Sequence, residues 1–347
     1  MLSRMKQYFR DRRDDVNDYA GGLGKWLLGL LIIYLLVTVV LGMIWSSEPD
    51  VYSVREHTRT VAAEMNREPV TGFATTVTMI RIAETLLDKP GGYISNDYFP
   101  PGLWLDNMPA WEYGVLVQLR DLSRAMRKDI SRSQSQSAED QDLVVVEPQF
   151  HFDSGSWAIP STESEYRRGI RALYRYLDRL SNPEQPDAQF FARADNLSNW
   201  LADLETRLGS LSRVLGESVG KASVSDSLAE STASDPLTDS ADGEMIKTPW
   251  TELDDAFYEA RGSAWALLHI FRAIEVDFRS VLQDKNATAS VRQIIIELEG
   301  SQGEMWSPMI LNGSGFGVLA NHSLTMAAYL SRANAAIIDL RELLSQG

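Results

Sequence analysis

Residues 250–281 read WTELDDAFYEARGSAWALLHIFRAIEVDFRSV. Within them Trp250, Leu253, Phe257, Ala260, Ala264, Leu267, Phe271, Ile274, Phe278 and Val281 recur at alternating steps of three and four. An apolar residue every 3.5 positions is the seam of a long helix packed side by side with another, as in a coiled coil. At 1.5 Å of rise per residue the run makes a helix of about 48 Å. A mostly α fold follows.

The same rhythm recurs on both sides. Upstream stand Phe190, Ala194, Leu197, Leu201, Leu204, Leu208, Leu211 and Leu215; downstream stand Met326, Leu330, Ala333, Ile337, Leu340 and Leu344. Between the first two runs, Ser218–Gly243 consists largely of Ser, Thr, Asp and Ala and has no aromatic residue. Such a segment buries too little apolar area to offset its ordering entropy, so it reads as a disordered loop. Thr248-Pro249 then supplies a capping residue and a proline at the first helical position. Two matching seams joined by a flexible link predict a long antiparallel hairpin in an elongated bundle. In that hairpin Phe190 lies near Val281, Leu215 near Trp250, and Leu201 or Leu204 meets Ala264 or Leu267.

Further helices are legible. Phe73, Val77, Ile80 and Leu87 share one face before the Pro90-Gly91-Gly92 stop; Leu116, Leu119, Leu122, Met126 and Ile130 share another. Thr162 and Glu165 have capping-box spacing ahead of Tyr166, Ile170, Leu173, Leu177 and Leu180, and Asn182-Pro183 closes that helix. Asp142–Phe152, with LVVV and QFHF around Pro148, carries the strand signal and predicts one small β element, a short hairpin on a helical body.

Near the N-terminus, residues 26–45 read WLLGLLIIYLLVTVVLGMIW, without a charge. Twenty residues reach about 30 Å, the thickness of a hydrocarbon core. Lys25 and Trp26 mark one interface and Trp45 the other. A signal peptide's apolar region is shorter, about 7–15 residues, and ends at small residues, so a retained single-pass transmembrane helix is expected. Six basic residues precede it and none follows before Arg55, which places the tail 1–25 in the cytoplasm and residues 46–347 outside. The layout is thus a basic tail (1–25), a bilayer-spanning helix (26–45), an N-terminal part of the outer domain (46–160) and a helical bundle (161–347). Six basic residues against four aspartates give the first 25 residues +2; the chain total of −15 then leaves −17 beyond the span. An outer domain so acidic repels phosphate backbones, which argues against nucleic acid as a partner. The absence of cysteine excludes disulfides and thiolate chemistry.

Four strings, AETLLDKPGGYISNDYFPPG (83–102), LDNMPAWEYGVL (105–116), SRSQSQSAEDQDL (131–143) and SWAIPSTESEYRRGI (156–170), stand behind this anchor. With it, the chain resembles an uncharacterised proteobacterial family, domain of unknown function 2333. The likeness runs over nearly the whole chain and implies a bacterial inner-membrane location, with the outer domain in the periplasm. It brings no activity, and no functional residue carries over.

The segment 90–112, PGGYISNDYFPPGLWLDNMPAWE, is the candidate site. It gathers Tyr93, Tyr98, Trp104 and Trp111 among Asn96, Asp97, Asp106 and Asn107. Aromatic faces beside amide and carboxylate acceptors suit sugar recognition, and in a periplasm the obvious glycan is peptidoglycan. The alternative is that these aromatics plug the end of the bundle while Asp and Asn satisfy turn backbone. Asn312–Gly317 is glycine-rich but lacks the strand and lysine of a phosphate loop and reads as a connecting turn. The four histidines are scattered, so neither a metal site nor a cofactor is expected. The expectation is a non-catalytic envelope scaffold that binds other envelope proteins, with peptidoglycan binding or processing through 90–112 as the alternative.

Overall fold

A computed structural model describes residues 2–133, 138–184, 187–217, 250–303 and 322–346, with side chains from Gly24 onward and outside 250–253. The segment 218–243, expected to be a disordered loop, and the turn 312–317 lie outside the described residues, as does Thr248-Pro249. Eleven α-helices appear among those described: α1 (Leu2–Trp45), α2 (Val54–Glu64), α3 (Phe73–Asp88), α4 (Asn107–Ala125), α5 (Leu143–Phe150), α6 (Thr162–Ser181), α7 (Ala194–Glu217), α8 (Trp250–Asp277), α9 (Arg279–Asp284), α10 (Thr288–Gly300) and α11 (His322–Ser345). A wider π turn, Met126–Ile130, prolongs α4.

No strand occurs among the described residues, which corrects the expected β element. Asp142–Phe152 is instead the short helix α5. Leu143, Val146 and Phe150 are buried at helical spacing on one face, and α5 packs on α6. The Asp140 carboxylate receives the Asp142 and Leu143 amides at 2.9 and 3.2 Å and so starts the helix. Arg179 of α6 holds both Asp140 and Asp142 at 2.7 Å. These tertiary contacts override the β preference of three valines. The N-cap of α6 lies one residue earlier than Thr162, and the expected Thr162–Glu165 capping box is not formed. Ser161 is the N-cap, receiving the Ser164 amide at 3.3 Å, and the Thr162 hydroxyl donates to Asp153 O at 2.7 Å.

The long run at 250–281 behaves differently from a seam. Every residue from Ala260 to Phe271 is buried, on all sides of α8, and the helix breaks at Phe278 before α9. A helix apolar all round belongs in the middle of a domain. Accordingly α8 packs chiefly against α4, with α3 and α10 also against it, whereas α7 packs chiefly along α11. This corrects the hairpin as the dominant pairing. Its antiparallel sense survives where α7 approaches α8: the Phe190 and Phe278 rings lie 5.8 Å apart and those of Trp200 and Phe271 5.5 Å apart.

At the α4–α8 crossing two glycines let the backbones touch. A Cβ on Gly262 would lie 2.1 Å from Trp111 O, and one on Gly114 2.1 Å from Glu259 O. Asp277, at the end of α8, accepts the amide and hydroxyl of Thr75 at 2.7 Å each, capping α3 from another helix. Burial raises the Asp277 carboxyl above the ordinary range, opposed by these bonds.

Helix α1 is the exception to this packing. Its stretch Gly24–Trp45 is long and apolar enough to cross a membrane, and within it only Thr38 is buried. It is therefore not a core helix of the described domain.

Candidate functional site

The chain leaves α1 at Trp45 and is gripped at once. Arg261 of α8 donates through Nε to both oxygens of Glu48 at 2.7 Å, and through Nη1 to Ser301 O and Gly303 O at 3.1 Å. One turn on, Trp265 Nε1 donates to Asp50 O at 3.3 Å. A turn further, His269 Nε2 accepts the Tyr52 amide at 3.1 Å while its ring stacks on Tyr52 at 4.0 Å. Arg272 then donates to Tyr52 O at 3.3 Å. Arg261, Trp265, His269 and Arg272 are spaced by four, four and three, so they form one helical face. The linker 48–52 runs along that face like a strap.

His269 is neutral here for a physical reason. Its Nδ1–H donates to Trp265 O at 2.7 Å, leaving the Nε2 lone pair for Tyr52. Burial is the largest influence on its pKa, which falls to about 3, with the Trp265 carbonyl opposing and Arg272 adding to the fall. On the same face Arg261 and Arg272 pair with Glu48 and Glu299, and both, like the Trp265 indole, donate to backbone carbonyls.

The loop 89–105 is fastened to the same end of the domain by Glu112 of α4. The Glu112 carboxylate receives the Ile94 and Ser95 amides at 2.8 Å each, the Ser95 hydroxyl, and the Lys89 ammonium. Both charged side chains are almost entirely buried. Burial pulls Lys89 below the usual lysine value, with the Glu112 charge opposing. Gly91, at φ +89, lies under the Trp45 ring; a Cβ there would be 2.7 Å from it. The turn thus needs glycine both for its backbone and for Trp45 to sit down.

The candidate residues of 90–112 divide by this fastening. Trp111 is a buried residue of α4, its ring 5.3 Å from that of Trp265, beneath the strap. Tyr93 is buried and donates to Ser154 O at 3.1 Å; Asn96 is buried and donates to Ser156 O at 3.0 Å and Glu163 at 3.1 Å. Asp106 accepts the Asn107 amide at 2.9 Å, capping α4. Asp97 is pushed up by burial first, then by the Glu112 and Glu163 charges. Tyr98 and Trp104 face outward at 60% and 56% exposure, with Phe99 and Leu103 at 71% and 58%. The sequence did not point to Glu48, Tyr52, Lys89, Glu112 or Arg261, whereas His269 is packed inside the long apolar helix, as its place in that run leads one to expect. Among the former only Arg261 carried a signal that could have found it, as a charged residue inside an otherwise apolar run.

Among the described residues no group of three or more His, Asp or Glu side chains is placed to hold a metal ion. A family model described as uncharacterized protein conserved in bacteria (DUF2333) matches residues 20–347. No curated protein and no solved structure matches the chain.

Proposed function

The chain belongs to this family of uncharacterised proteins conserved in bacteria (DUF2333), and on that footing we propose that it is a membrane-anchored scaffold of the bacterial cell envelope. In this reading α1 crosses the inner membrane once through residues 26–45. The basic tail is cytoplasmic, and the acidic helical domain stands in the periplasm, where it engages other envelope proteins without catalysis. The carrying observation is the junction: Trp45 rests on Gly91, and Glu48, Asp50 and Tyr52 are strapped to α8. A cleavable leader has no reason to end in a side chain seated on the folded domain, as Trp45 is on Gly91. A flexible tether has no reason to be bonded residue by residue. The Lys/Arg bias supports the orientation.

Because the chain lacks cysteine, the test is direct. Single cysteines at Asp203 and at Gln7, in whole cells permeable only at the outer membrane, are treated with a membrane-impermeant maleimide. Labelling at 203 but not at 7, with an intact mass that retains residues 1–45, is expected. The reverse labelling, or loss of the first 45 residues, overturns the reading. Peptidoglycan fragments that raise the melting temperature would favour the glycan alternative instead, through the exposed Tyr98 and Trp104.

A further inference from the structure

We propose that the loop tip Tyr98–Trp104 is a second membrane contact, inserted beside α1 into the outer-leaflet interface; this rests on the anchoring proposed above. Gly42 lies inside the apolar stretch Gly24–Trp45, and a Cβ on it would touch Pro101 Cβ at 3.7 Å. Gly42 is three residues before Trp45, so in an upright helix it lies about 4.5 Å deeper than that interfacial tryptophan. Pro101 is carried to the same depth, and the turn that follows it, Gly102–Trp104, also packs on α1.

What the tip presents at that level is apolar. Tyr98, Phe99, Leu103 and Trp104 are all more than half exposed, four large side chains within seven residues. Trp157 extends the surface, its ring edge-on to Tyr98 at 5.9 Å, and is itself 58% exposed. Isolated exposed hydrophobics are normal on any surface, but a contiguous set marks a contact. Tyrosine and tryptophan favour the boundary between headgroups and acyl chains, where one end of the ring is wet and the other dry.

The tip is also prepared for insertion. Glu112 fixes its root through Ile94 and Ser95, and Tyr93 and Asn96 tie it to the segment 154–163. A contact already ordered loses little conformational entropy on binding. Attraction to anionic lipid is not the driving term, since the chain beyond the span is strongly acidic. The occupant is the acyl-chain boundary itself, so the contact should resist salt.

Full-length chains carrying one cysteine each at Phe99, Leu103, Leu36 or Asp203 are labelled with an environment-sensitive fluorophore. They are reconstituted into phosphatidylethanolamine–phosphatidylglycerol vesicles, and lipids brominated near the top or the middle of the acyl chain serve as quenchers. Labels at 99 and 103 are expected to shift to the blue and to be quenched most by the shallow bromines, unchanged by high salt. The label at Leu36 should be quenched most by the deep bromines, and that at Asp203 by neither. Quenching at 36 with 99 and 103 behaving like 203 overturns the loop contact and leaves the anchor standing. No quenching at 36 removes the anchor and the loop proposal with it. Quenching at 99 and 103 that salt abolishes overturns insertion in favour of electrostatic adsorption.

Discussion

Two regions of this molecule are held by different physics. Along α7 and α11, buried stripes of Leu, Ile, Met and Ala face each other, with side-chain bonds such as Arg341 with Glu205 and Ser212 with Ala327 O at 3.2 Å at their margins. At the α1 end, charged and hydrogen-bonding groups from distant parts of the chain interlock: Lys89 with Glu112, Arg261 with Glu48, His269 with Tyr52. An apolar stripe tolerates sliding and repacking, because dispersion and burial are not directional. A buried, directional network fixes one arrangement and is costly when half broken. A bundle needs the first to fold; a domain mounted in one orientation on α1, as proposed above, needs the second.

Breaking the network should therefore hurt most. Glu112→Ala leaves the Lys89 charge and two amides buried without their partner and is expected to destabilise by about 3–5 kcal/mol in denaturant titrations. A loss below about 1 kcal/mol would show that the network is ornamental. In the stripe, Ile337→Ala removes a fully buried side chain and should cost about 2–5 kcal/mol, without altering the labelling pattern at the membrane end. Gly262→Ala drives a methyl into Trp111 O and forces α4 and α8 apart, at about 1–3 kcal/mol.

Acid separates the regions without mutation. His269 titrates near its ordinary 6.5 in the unfolded chain and at about 3 when folded. The unfolded state therefore binds the extra proton first. The stability from a neutral His269 is complete above about pH 6.5 and is lost as pH falls from there toward 3. His269→Gln should flatten that part of the pH–stability curve, whereas Ile337→Ala should shift the curve downward without changing its shape. Smallest of all, Glu205→Ala removes a partly exposed pair with Arg341 and should cost under about 1 kcal/mol.

The same contrast explains what the sequence disclosed. The stripes of α7 and α11, the apolar span and the stop after α3 were legible because periodicity and punctuation are local properties. The partner of each stripe was not, since a 3.5 repeat names no recipient. In α8 the off-stripe residues Ala266, Leu268 and Ile270 already announced a helix buried all round, and attending to the stripe alone gave the wrong neighbour. LVVV misled because a short apolar run fits strand or helix equally, and Asp140 with Arg179 decided it from outside the run. In the candidate loop the aromatic content was visible, but which rings turn inward depends on Glu112, Ser154 and Glu163. The strap was invisible: Glu48 and Arg261 are 213 positions apart and unremarkable where they stand.

In the proposed reading the domain is mounted in one orientation on α1, the helix long and apolar enough to cross a membrane. Spin labels at Leu36 and Asp203, in the full chain reconstituted in lipid nanodiscs, measure this by pulsed dipolar spectroscopy. A single narrow distance distribution is predicted for the unsubstituted strap, broadening when Arg261→Ala releases Glu48. A broad distribution in the unsubstituted chain, unchanged by Arg261→Ala, would mean that the domain swings on a tether, and would contradict the account.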